Sequence, residues 1–228
     1  MCVQPHGRTL RLFSSIFAVA VLFLFVAANN IRADEIAIWN FNDSDLTVDH
    51  GKGTLTSNFV VANLQFAAGT TNNARLGDSA GQSLSLQGGA GNINNGRNIT
   101  INLSTVGFGN IVFSFATQGT GTGFGSNQFQ YSLDGINFIN FDSPYVPATA
   151  FGSVPIVFTL SSIAGLNDNP NAAFRIVFNG ATSSTGNNRI DNIVVEGTSL
   201  TVPEPTTVLL LFTGLTGLAG LKRKRRSN

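Results

Sequence analysis

The chain is short of cysteine, tryptophan, tyrosine, methionine, histidine and charge. Its 228 residues include one cysteine, one tryptophan, one methionine, two tyrosines and two histidines, and charged side chains make up 11%. Each shortage removes a class of chemistry. Cys2 stands ahead of an N-terminal apolar run and is lost with it on cleavage, so the mature chain forms no disulfide and ligates no metal through sulfur. His6 lies in the same segment, which leaves His50, in the polar stretch Asp49-His50-Gly51-Lys52. No nucleophile-elbow pattern supports a serine triad around it, and it reads as a solvated loop histidine. Gly119, Gly121, Gly123 and Gly125 imitate a phosphate loop, but no helical period or lysine follows, so they read as a flexible connection. Glycoside hydrolysis needs two facing carboxylates. Of the glutamates Glu35, Glu196 and Glu204, the first and last lie at the ends of the mature chain, which argues against a catalytic pair. Aspartates could serve instead, so a secreted hydrolase stays as the minor alternative to a non-enzymatic protein.

What is concentrated sits at the ends. Arg8 and Arg11 precede an apolar run of 17 residues from Leu12 to Ala28, followed by small residues and then Asp34 and Glu35. That is the three-part plan of a secretory leader, with cleavage placed after Ala33 and Ala28 as second choice. An uncleaved anchor is the alternative, since a span needs about 17 to 25 residues. At the other end Val202, Pro203, Glu204 and Pro205 precede a 16-residue apolar stretch, Thr206 to Leu221, and then Lys222, Arg223, Lys224, Arg225 and Arg226. As a helix this stretch is about 24 Å long, a little short of a hydrocarbon core of about 30 Å, a gap that snorkelling basic flanks make up. The basic cluster holds its end on the cytoplasmic side, and the stiff Pro-Glu-Pro faces outward at the helix start.

This order of Pro-Glu-Pro, apolar helix and basic cluster resembles the PEP-CTERM sorting signal of Gram-negative exosortase systems. The resemblance implies recognition of Pro203, Glu204 and Pro205 by an exosortase-like membrane protease, a cut nearby, and release to the envelope or an extracellular polysaccharide matrix. The implied partners are the export translocon, signal peptidase, the exosortase, the inner membrane before processing, and extracellular polysaccharide. A permanent C-terminal anchor is the alternative. The organisation expected is a signal peptide over 1–33, a domain over 34–200 and the sorting signal over 201–228. Between the tags, residues 34–205 carry five basic against all twelve acidic side chains, a balance of −7, which argues against nucleic acid as a partner.

The middle alternates with period two at Ile99, Ile101 and Leu103; at Ile111, Phe113 and Phe115; at Val154, Ile156, Phe158 and Leu160; and at Phe174, Ile176 and Phe178. Such runs are half-buried strands, and the Gly- and Asn-rich intervals 69–98, 119–127 and 179–188 read as loops. Asp134-Gly135 predicts a two-residue hairpin that pairs Leu133 with Ile136 and Tyr131 with Phe138 on one face. The fold class expected is all-β: around ten short strands in an antiparallel β-sandwich, jelly-roll-like rather than immunoglobulin-like because of its length, flanked by a signal-peptide helix and a C-terminal apolar helix.

The opening Ile38-Trp39-Asn40-Phe41-Asn42, the Asp-Gly turn, Phe174-Arg175-Ile176 and the close from Arg189 to Val195 also resemble a bacterial extracellular β-sandwich module, similar in shape to carbohydrate-binding jelly rolls. A non-enzymatic surface or extracellular-matrix protein associated with exopolysaccharide is the main reading; a carbohydrate-binding module is the alternative, and it should show exposed aromatics on one sheet. Trp39 and Tyr131 alternate with core residues and read as packing, while Tyr145, between Pro144 and Pro147, is the more exposed ring. Asn42, Asp43, Asp45 and Asp49 share a polar loop after the first strand, and Asp191 lies in the last. Asn42, Asp43 and Asp191 are the candidate ligands of a structural calcium, which takes about six to eight oxygens. Turn-forming carboxylates are the competing reading.

Overall fold

The computed structural model describes residues 33–200. The signal peptide, the apolar C-terminal stretch and the helices expected there lie outside these residues. Twelve strands follow in chain order: β1 (Ala33–Trp39), β2 (His50–Gly51), β3 (Thr54–Ser57), β4 (Leu64–Ala68), β5 (Gln82–Gln87), β6 (Asn98–Leu103), β7 (Phe108–Gly119), β8 (Ser126–Ser132), β9 (Ile139–Asn140), β10 (Ile156–Thr159), β11 (Ala172–Asn179) and β12 (Asn187–Ser199). Among the described residues no helix is long and apolar enough to cross a membrane.

The strands form two antiparallel sheets. One has the order β10-β7-β12-β1-β2, with β5 on the first half of β12 and β4 on β5; the other has the order β3-β6-β11-β8-β9. The period-two runs explain the layering, because alternate side chains of a strand point to opposite faces. Ile99, Ile101 and Leu103 of β6 and Phe174, Ile176 and Phe178 of β11 are all buried, and they face Ile111, Phe113 and Phe115 of β7. Phe113 meets Phe129 at 5.0 Å and Phe174 at 5.4 Å, and Phe129 stacks on Phe158 at 4.1 Å. Burying each such ring stabilises by about 1.5–3 kcal/mol, and each favourable ring pair adds about 0.5–1.5 kcal/mol. Trp39 is fully buried in the same core.

The structure departs from the sequence reading at four places. The interval 69–98 is not one loop: it contains β5, whose Ser83 and Ser85 are as buried as Leu84 and Leu86 because the strand lies between β4 and β12. The Ser83 hydroxyl donates to the carbonyls of Ala67 and Ala68, so a small polar residue is satisfied inside. Val154 is 77% exposed and outside any strand, since Pro155 offers no N–H to a ladder and pairing starts at Ile156. Tyr145 is not an exposed ring: it packs on Phe115 and Phe158, and its hydroxyl is buried without a hydrogen-bond partner, which pushes its pKa up. The Asp134-Gly135 turn pairs Tyr131 with Ile139 and Gln130 with Asn140. Only Gly135 of the turn pair has positive φ, and the connection is one residue longer than a two-residue hairpin, which moves Phe138 to the opposite face of the sheet.

A register shift in β12 after Asp191 bends the strand where its neighbour on one side changes from β5 to β1, with Asn192 at φ 48°. The Asn192 amide nitrogen donates to the carbonyls of Thr70 and Asn72, tying the 69–81 loop to the sheet. Asp191 is fully buried; its carboxylate accepts from the backbone N–H of Thr70 at 2.7 Å and of Asn192 at 2.8 Å. The carbonyls of Ala80 and Gln82 crowd with this carboxylate around the Cα of Gly69, where any Cβ would collide with them. Asn42 approaches the same place, its Oδ1 accepting from Gln82 N–H at 2.9 Å, while Asp43 is exposed. Among the described residues no three His, Cys, Asp or Glu side chains gather to hold a metal.

Burial pushes the Asp191 carboxyl up to about 7, against the opposing effect of its two N–H donors. The folded state then keeps a proton that the unfolded chain releases near the ordinary value of 3.8. Stability from this group is full below about pH 4 and is lost as pH rises toward about 7, on the order of 4 kcal/mol at about 1.4 kcal/mol per unit. The melting temperature of the mature protein should therefore fall between about pH 4 and pH 7, and Asp191→Asn should flatten most of that slope. A calcium-dependent rise at the alkaline end, absent from Asp191→Asn, would instead assign these oxygens to a metal.

Candidate binding face

The core takes one side of each strand in the five-stranded sheet, so the other side is left to whatever alternates with it. Between Ile99 and Ile101 stands Thr100; between Phe174 and Ile176 stands Arg175; between Phe129 and Tyr131 stands Gln130. Strand register places these side by side. Thr56 pairs with Thr100, Thr100 with Arg175, Arg175 with Gln130, and Gln130 with Asn140. One row of polar side chains thus crosses all five strands. Strands lie about 4.8 Å apart, so the row is roughly 19 Å long.

The row is partly ordered by its own contacts. Arg175 Nε donates to the Thr100 hydroxyl at 3.2 Å, and Gln130 Nε2 donates to Asn140 Oδ1 at 2.8 Å. Phe138, brought to this face by the longer turn, lies beneath Arg175, whose Cζ is 3.4 Å from the ring centroid. A guanidinium over an aromatic face is worth about 0.5–2 kcal/mol, and here it also fixes the plane of the fork. Partial burial lowers the Arg175 pKa. Gln130 Oε1 is buried and has no hydrogen-bond partner among the described residues.

The face runs into a cleft of about 340 Å³ lined by Asn102, Ser104, Asp134, Gly135, Pro170 and Asn171. Asn102 belongs to both, since it is an outward position of β6 paired with Ala173 and Thr54. The Asp134 carboxylate accepts from the N–H groups of Ile136 and Asn137, the Asn137 amide and the Ser132 hydroxyl. These donors, Asn137 foremost, hold it well below the ordinary carboxylate value. The Asn169 amide clamps the turn from below by donating to the carbonyls of Leu133 and Gly165. Leu103 and Ala172 also line the cleft, which is thus a mixed polar and apolar hollow with an anionic wall.

The residues singled out from sequence fall elsewhere. Val202, Pro203, Glu204, Pro205 and the basic cluster from Lys222 to Arg226 lie outside the described residues. Asn42 and Asp191 flank the Gly69–Gly81 contact beneath the other sheet, and Asp43 makes no part of it. His50 is exposed on β2. Glu35 and Glu196 do face each other across β1 and β12, but Arg75 bridges them, at 3.8 Å and 3.0 Å. Sequence reasoning missed Thr56, Thr100, Gln130, Phe138, Asn140 and Arg175 as a group. The available signal was the polar half of each alternating run, which includes a lone arginine among amides and hydroxyls.

No curated protein matches the chain. Among solved structures the chain is similar to the CBM22-1 xylan-binding domain of Xyn10C from Paenibacillus barcinonensis, at 11% identity and a TM-score of 0.45, over 74% of this chain and 97% of that one. It is similar to domain 4 of AbnA, an extracellular arabinanase from Geobacillus stearothermophilus solved with arabinotriose, at 14% identity and a TM-score of 0.44, over 74% and 95%. It is also similar to TmCBM61 in complex with β-1,4-galactotriose, at 8% identity and a TM-score of 0.43, over 68% and 92%. At the C-terminus, residues 201–226 match the PEP-CTERM protein-sorting motif, and the chain therefore carries the tag of an exported protein.

Proposed function

We propose that the chain is an exported, non-catalytic, jelly-roll-like protein that binds polysaccharide on the outer face of its five-stranded sheet. An exosortase-like protease cuts near Pro203–Pro205, and the sandwich stays at the cell surface or in the extracellular matrix. The observation that carries the binding reading is the row Thr56, Thr100, Arg175, Gln130 and Asn140. Among the described residues no aromatic side chain is exposed, so the stacking rings expected of a carbohydrate-binding module are not found there, and the row of amides, hydroxyls and one guanidinium meets sugar hydroxyls through hydrogen bonds alone. A purely structural matrix role gives that row no ligand. The bridged pair Glu35 and Glu196 offers no free carboxylates for hydrolysis.

Processing is checked by intact mass and location of the native protein in cells with and without the sorting protease. Loss of residues near Pro203 to Asn228 that depends on the protease, with transfer to the surface, is expected; an intact membrane-held C-terminus in both strains overturns it. Binding is checked by electrophoresis through gels containing the organism's extracellular polysaccharide. The wild-type protein should be retarded, and Gln130→Ala with Asn140→Ala should weaken binding roughly tenfold at unchanged fold, the loss of two modest hydrogen-bonding groups. Gln65→Ala, on the other sheet, should have no effect. Free migration of the wild type in every such gel sinks the binding reading.

A further inference from the structure

We infer that the polysaccharide is acidic and that Arg175 reads its carboxylates, an inference that rests on the binding reading above. The five strands of this sheet, TLTS, NITINL, SNQFQYS, IN and AAFRIVFN, contain one charged residue between them, and it is Arg175. Arg175 stands on the outward side, in the centre of the row, and its local charge is set against a balance of −7 over residues 34–205 that repels a polyanion elsewhere. A positive charge placed there has no acidic neighbour across any strand pair of the sheet.

Its hydrogen bonding sets it apart from the other described arginines. Arg75 uses Nη1 and Nη2 on Asn73 and Glu196, Arg97 uses Nη1 on the Asn58 carbonyl, and Arg189 uses Nη1 on the Ala68 carbonyl. Arg175 uses only Nε, on Thr100, and among the described residues its two terminal nitrogens have no partner. The group is nonetheless held in place, by Thr100 at its edge and by the Phe138 ring 3.4 Å from Cζ. A planar fork fixed from two sides, with its outer donors open, is the arrangement that takes a carboxylate through two parallel hydrogen bonds. A neutral sugar uses such donors singly and gains nothing from the charge.

The second charge near the face sets the register. Asp134, at the wall of the cleft, carries four hydrogen bonds that keep it ionised and repels a carboxylate placed there. The acidic sugar unit therefore sits at Arg175, and neutral hydroxyl-bearing units extend over Asn102 toward the cleft.

The test compares polygalacturonate, the same polymer with its carboxyls reduced to alcohols, and dextran sulfate, each in affinity gels with the full chain in mild detergent. The expected result is binding to polygalacturonate at least about tenfold tighter than to its reduced form, weakened by salt. Arg175→Gln should bring the two polymers to equal, weak binding. Phe138→Leu, which keeps the charge and removes the ring, should narrow the preference, and a melting curve for each variant shows that the fold is retained. Equal wild-type binding to the acidic and reduced polymers, still sensitive to Gln130→Ala, overturns the acidic reading and leaves polysaccharide binding standing. Binding to dextran sulfate alone overturns the carboxylate assignment, and binding to none of the polymers, nor to the organism's own polysaccharide, removes both readings.

Discussion

Phe113 of one sheet lies within 5.4 Å of Phe129 and Phe174 of the other, and Phe129 stacks on Phe158 at 4.1 Å. With no cysteine between residues 33 and 200, this aromatic contact has to hold the two sheets face to face without a covalent tie. A core packed this way uses one side of each strand completely, and truncating one of its phenylalanines costs about 3–5 kcal/mol. Every other feature is downstream of that demand. The strands place their large apolar residues inward, so in the five-stranded sheet the outward side is mostly threonine, serine, asparagine, glutamine and the single arginine, with Ala173 and Val177 on either side of Arg175 along β11.

The two sheets treat their outer sides differently. The loop from 69 to 81 lies on the larger sheet and is pinned there by Asn73 to Ser114, by Asn192 to Thr70 and by the bridge of Arg75 to Glu196 and Glu35. That cover is why Ile38 and Val194, on a strand pair within the sheet, are almost wholly buried. Among the described residues no loop is pinned across the central row of the smaller sheet, where Thr56 and Asn140 are exposed and Thr100, Gln130 and Arg175 half-buried. The buried carboxylate of Asp191 belongs to the covered sheet and to stability; the open fork of Arg175 belongs to the uncovered sheet and to recognition.

Period two in phenylalanine and isoleucine makes β6, β7 and β11 legible in the sequence, and the Pro-Glu-Pro tag is legible from its order of polar, apolar and basic segments. Strand β5 is not, because buried Ser83 and Ser85 look like loop residues until β4 pairs beside them and supplies acceptors for the Ser83 hydroxyl. The binding face was half legible. Arg175 was plainly a strand residue, but the ring beneath it comes from a turn whose register the Asp-Gly pair misstates by one residue. That slip sends Phe138 to the opposite side of the sheet. Tyr145 misled for a related reason: flanking prolines suggested exposure, while the pairing of Asn127 with Tyr145 draws the ring into the core.

Location of the ligand on the isotope-labelled mature protein is the most direct test of the account. In a titration with oligosaccharides from the organism's extracellular polysaccharide, the Arg175 Nε–H and the side-chain amides of Gln130 and Asn140 should shift together, while the buried indole of Trp39 stays fixed. Shifts confined to other surfaces, such as the exposed Val61 or Val157 strips, with Arg175 silent, would contradict the assignment of the five-stranded face as the binding surface.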